Sequence, residues 1–210
     1  MTKYGKLTAV LIAVWFLFAL TASAFHLIRT GPNQPPIFLG LAALLPIVLF
    51  LLWFRVSPGF RQFSLTLNPR VLAWVHTLRL EGMVFLVLAT YGILPRLFAL
   101  SAGWGDITIG ATALLVGAVL ATPNHRNTFI IWNLLGMADL VSAVSLGALS
   151  TVIDPHGITT VAMTELPMSL IPTFGVPLFM MIHIICIAQA LRWPARRYAP
   201  IAQQMPSHSA

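Results

Sequence analysis

Acidic side chains are scarce in this chain: five Asp and Glu stand against twelve Lys and Arg in 210 residues. Charged residues of both signs make up only 8% of it, too few to solvate an ordinary water-soluble domain of this size. Cysteine is nearly missing as well. Cys186 stands alone, which excludes an internal disulfide and any cysteine-rich metal cage. The chain also lacks H-E-x-x-H, G-x-S-x-G, a P-loop and G-x-G-x-x-G. No standard hydrolase, zinc-enzyme or nucleotide site is therefore spelled out, and the reading leans away from an enzyme.

What fills the chain instead is apolar. Hydrophobic residues make up 58%, arranged in runs long enough to cross a bilayer. The expectation is an all-α, polytopic integral membrane helix bundle with six transmembrane helices. It forms a single membrane domain over 1–197, followed by a flexible cytoplasmic tail over 198–210. The six spans are placed at about 7–28, 37–54, 69–94, 103–122, 126–150 and 166–191. The first run has a rival reading. Lys3 and Lys6, the apolar block to Leu20 and Ala22-Ser23-Ala24 imitate a signal peptide cleaved after residue 24. Continuation of the apolar run through that site favours a retained helix.

Basic residues sort by side. Lys3, Lys6, Arg55, Arg61, Arg70, Arg126, Arg192, Arg196 and Arg197 fall on one side, with no acid among them. Arg29 and Arg96 fall on the other, together with Asp106, Asp154 and Glu165. The positive-inside rule then puts both termini in the cytoplasm of a cell inner membrane. Loops this basic are expected to attract anionic lipids at the cytoplasmic face, and no clustered basic module suggests nucleic acid. Between the second and third spans, Phe60, Phe63 and Leu67 share one helical face, as in a short interfacial helix.

The third span carries the polar chemistry. Asn68 and Pro69 mark its start as N-cap and first helical residue. Counting back from Leu94 places His76 at the inner edge and Arg79 about one turn inside, where its long stem can snorkel to the headgroups. Glu81 cannot snorkel, and an unpaired carboxylate in hydrocarbon costs several kcal/mol. Asn133 and Asp139 on the fifth span and His183 on the sixth complete an expected buried cluster of Glu81, Asp139, Arg79, Asn133, His76 and His183. Arg79 is expected to pair with Asp139, and Glu81 to carry the pathway.

Three further patterns have a chemical reading. His76 and His183 lie at comparable depth on facing helices, so the two imidazoles are candidates to ligate a haem b, although no cofactor is the leading expectation. Pro172 and Pro177 free carbonyls near Met168 and Thr173, which an interrupted helix can turn towards an ion. Asp106, Asp154, His156 and Glu165 are metal-ligand types in the outer loops, but their spacing matches no metal motif and Asp106 reads as a helix cap. The leading functional expectation is passage or coupling of a small solute, ion or proton through the buried polar cluster. The alternatives are a haem b membrane redox protein and a non-catalytic subunit of a membrane complex, with a homo-oligomer or a partner protein implied by the last.

Overall fold

Among the described residues of the computed structural model every regular element is helical, and six helices are long and apolar enough to cross a membrane. The structure describes residues 2–31, 37–153 and 157–194. Asp154, His156, Arg196, Arg197 and the tail 198–210 lie outside these residues, as does the Pro32–Pro36 part of the first turn. We number the helices α1 (Lys3–Ala24), α2 (Ile37–Val56), α3 (Pro58–Thr66), α4 (Pro69–Thr90), α5 (Arg96–Leu120), α6 (Arg126–Ile153) and α7 (Ile171–Ala190). All but α3 are the spanning helices.

Local signals set the helix ends. Thr2 caps α1, its hydroxyl accepting from Gly5 N at 3.1 Å, so the helix starts a turn earlier than hydrophobicity alone suggests. The short α3 is a helix and not a loop, started by Ser57, whose Oγ accepts from Phe60 N at 3.3 Å. It lays Phe60 against Phe50 of α2 and stacks it on Trp53. Gln189 of α7 donates to two carbonyls at the end of α3, Ser64 at 3.1 Å and Leu67 at 2.8 Å. Those are carbonyls that a helix end leaves without an internal partner. At the start of α4, Asn68 Oδ1 accepts from Arg70 N at 2.9 Å, as the N-cap reading requires. The turn after α4 bends at Gly92, with φ of +67°.

Two boundaries depart from the expectation. The fourth span does not begin near Gly103. α5 runs from Arg96, after Pro95, straight through Ser101-Ala102-Gly103-Trp104-Gly105. Gly103, which reads as a turn residue, is a packing notch: a Cβ there would lie 2.6 Å from Leu86, and one on the facing Gly82 of α4 would lie 2.5 Å from Asp106 Cβ. Asp106 is consequently a mid-helix residue and not a cap. The sixth span begins at Ile171 rather than 166, after a Leu166–Pro167 cis peptide.

Glycines also close α5 onto α4 further along. A Cβ at Gly110 would meet Leu80 N at 2.8 Å, and one at Gly117 would collide with the Trp74 ring. Small residues at such positions let two backbones approach, which is how helices gain packing energy where the hydrophobic effect is absent. Within α4, residues His76–Gly82 are wound as a 3-10 helix. Three residues per turn put His76, Arg79 and Gly82 in one row, and all three are buried.

Candidate functional site

Arg79 stands midway along α4, with its side chain fully buried. The snorkelling position expected for it is excluded, because the helix ends at Thr90 rather than Leu94 and the row of buried residues faces the bundle interior. Its guanidinium fork is filled from three other helices. Nε donates to Asp106 Oδ1 of α5 at 2.6 Å, and Nη2 donates to Asp139 Oδ2 of α6. Nη1 donates to the Gly136 carbonyl of α6 at 3.3 Å and to His183 Nε2 of α7 at 3.2 Å. The Arg79–Asp139 pair expected from the sequence is therefore present. Asp106 is a second carboxylate that the sequence reading assigned elsewhere.

The hydrogen bonds fix each partner's role. Asn133 Nδ2 donates to the Phe129 carbonyl at 2.8 Å, so its Oδ1 is free to accept from His183 Nδ1, also at 2.8 Å. His183 Nε2 then keeps its lone pair and accepts from Arg79. His183 is thus the neutral, Nδ1-protonated tautomer, clamped at both nitrogens. His76 stacks on it, ring centroids 3.9 Å apart and planes 18° from parallel. Trp132 meets the His76 ring edge-on and donates its Nε1–H to Thr112 at 2.9 Å. Both nitrogens of His76 are buried without a hydrogen-bond partner among the described residues.

Glycines make room for these groups. A Cβ at Gly105 would collide with the Asp139 carboxylate, and one at Gly136 would collide with the His183 ring and crowd Arg79 Nη1 at 3.3 Å. The centre is closed on the arginine side and ajar on the carboxylate side. Arg79 has 0% side-chain exposure, Asp106 10% and Asp139 13%. Asp106 opens into a cavity of about 110 Å³ walled by α2, α5, α6 and the start of α7.

The remaining sequence candidates separate from this centre. Glu81 makes no hydrogen bond or salt bridge to the Arg79 fork among the described residues, although it lies near enough to feel the charges of Arg79 and Asp106. It shares the 3-10 segment with Arg79 and is exposed as a residue, but its Oε1 is turned towards α7, 3.9 Å from where a Cβ on Gly175 would be. The two histidines do not fit a haem held between them. Their rings lie face to face at 3.9 Å, leaving no width for a porphyrin, and His183 has no free nitrogen. Nor is the start of α7 an open cradle of carbonyls. The Met168 carbonyl accepts from Ile171 N at 3.1 Å, while Thr173 turns its hydroxyl to the Ser169 carbonyl at 2.7 Å. A π turn over Ile171–Gly175 absorbs the irregularity. Among the outer residues, Glu165 is held by Arg29 at 2.7 Å and His26 at 3.1 Å, tying the end of α1 to the segment before α7. No group of three His, Cys, Asp or Glu among the described residues could hold a metal ion.

Residues 36–191 match a family described as a domain of unknown function (DUF8737), and the chain belongs to that family. No curated protein and no solved structure matches it. The matched stretch contains every residue of the Arg79 centre and leaves α1 outside.

Proposed function

We propose that this member of the DUF8737 family is an integral cytoplasmic-membrane protein that couples passage of a proton, and with it a small solute or ion, to the charge state of the Arg79 centre. One observation carries the reading. A single guanidinium faces two carboxylates, so with both ionised the group has one negative charge in excess at mid-span. A lone charge at that depth costs about 2.5–3.5 kcal/mol on insertion scales, so the centre has a standing demand for one more cation. A proton on Asp106 or Asp139 meets it. Both carboxylates are the parts of the centre with access to the outside, while Arg79, His183 and Asn133 form the fixed wall behind them. Both termini are assigned to the cytoplasm, where the basic loops attract anionic lipids.

The test is proton flux in liposomes carrying a trapped pH-sensitive dye, driven by a potassium diffusion potential. Wild-type protein is expected to acidify the lumen. Asp139→Asn and Asp106→Asn should each reduce the rate at least tenfold while the purified variants keep their helical content. Equal flux in wild type and Asp139→Asn would overturn the proposal.

A second reading, a non-catalytic subunit of a membrane complex, has Glu81 on its side. It is an exposed residue in the middle of a span and its carboxylate makes no hydrogen bond among the described residues, a defect that a partner helix would satisfy. That reading gains if proton flux is absent and the protein copurifies with a partner that Glu81→Leu releases.

A further inference from the structure

The cavity beside Asp106 is walled almost wholly by hydrocarbon. Gly40 and Ala43 of α2, Phe98 of α5, Ala143 of α6 and Val176 of α7 line it, and among the described residues Asp106 is the one ionisable side chain on its surface. Oδ1 of that carboxylate is taken by Arg79 Nε at 2.6 Å, whereas Oδ2 makes no hydrogen bond among the described residues. The volume of about 110 Å³ approaches that of an engineered core cavity, roughly 150 Å³, that accommodates benzene. The walls select for an apolar body and the carboxylate selects for what it carries.

We propose that this cavity is a binding site for a small organic cation, an ammonium group on a compact apolar body, with Asp106 as its counter-ion. The inference rests on the proton-coupling reading in one respect: both draw on the same unneutralised charge. Three head groups can be ranked on chemistry alone. An ammonium donates to Oδ2 and cancels the excess charge of the Arg79, Asp106 and Asp139 group. A hydroxyl on the same body donates but cancels nothing. A carboxylate adds a second negative charge to a dry wall. Proton and ammonium satisfy the same deficit, so occupancy by one displaces the other.

Gly40 supplies a clean probe of the cavity, because a Cβ built there meets nothing within 4 Å. Gly40→Leu adds bulk at the cavity wall and leaves the charged residues untouched. The experiment is isothermal titration of the purified full-length protein in detergent with cyclopentylammonium, cyclopentanol and cyclopentanecarboxylate. Cyclopentylammonium should bind at least tenfold more tightly than the alcohol, and the carboxylate should not bind. Gly40→Leu should abolish ammonium binding with an unchanged melting temperature, and Asp106→Asn should bring ammonium and alcohol to equal affinity. Lower pH should weaken ammonium binding. Equal binding of all three compounds, or full ammonium affinity in Gly40→Leu, would refute the site. Should Gly40→Leu not fold, the ranking of the three head groups on wild type decides the matter by itself. Ammonium binding without proton flux would retire the proposed function and leave the site standing, while flux without ammonium binding would do the reverse.

Discussion

Replacing Arg79 by methionine should be among the most damaging single changes in this protein. It leaves Asp106 and Asp139 facing each other without their shared cation, and stripping one partner from a buried ion pair costs about 3–5 kcal/mol. Asp139→Asn should behave differently. It leaves Arg79 and Asp106 as a neutral pair and an amide that still accepts from Nη2, so thermal unfolding in detergent should show little loss, or a gain. A large destabilisation by Asp139→Asn would mean that the excess negative charge does not exist in the folded protein. Gly105→Ala probes the same contact by volume. The added methyl runs into the Asp139 carboxylate, an overpacking expected to cost about 1–3 kcal/mol. Asp139→Ala in the same chain should remove that penalty, giving a double-mutant cycle with a coupling of similar size. Additive effects would show that the two residues do not touch.

At the scale of the helix, Gln189 supplies the polar contact that joins α3 to α7, beside the packing of Phe60 on α2. Gln189→Leu leaves the Ser64 and Leu67 carbonyls without that donor, at a cost of about 1–3 kcal/mol if water does not replace it. Hydrogen exchange should then quicken over Pro58–Thr66 before it does in α4. Helices also show where sequence reading works and where it stops. Length and apolarity were enough for the six spans, and Asn68-Pro69 for the start of α4, because each signal is local. Asp139 could be paired with Arg79 since both were charges inside apolar runs. Asp106 was missed because Gly103-Trp104-Gly105 in front of it has the composition of a turn. Only the neighbouring α4, crowding Gly82 and Leu86 against those notches, makes the stretch helical. A signal was present: treating Arg96–Leu115 as one helix puts Asp106 near its middle. Glu81 drew attention through the cost of its charge, but the side of the helix it occupies depends on the 3-10 winding, which no periodicity in the sequence announces.

For the molecule as a whole, the arrangement of helices predicts labelling from opposite sides at the two ends of α4. Cys186 is buried, so the native protein should be silent to a membrane-impermeant maleimide. Gln62→Cys and Tyr91→Cys are both exposed positions, one in α3 before α4 and one just after it. In right-side-out vesicles Tyr91→Cys should react at once, and Gln62→Cys only after permeabilisation. Labelling of both from one side would break the six-span topology. The seven residues of the 3-10 stretch give that topology a mechanical property. Such a winding advances about 2.0 Å and 120° per residue, against about 1.5 Å and 100° in an α-helix. Rewinding His76–Gly82 to α geometry would draw the two ends of α4 about 3.5 Å closer and twist one half against the other by about 140°. The span is in effect a threaded rod, with a fixed ratio of travel to turn and with Arg79 set in the thread.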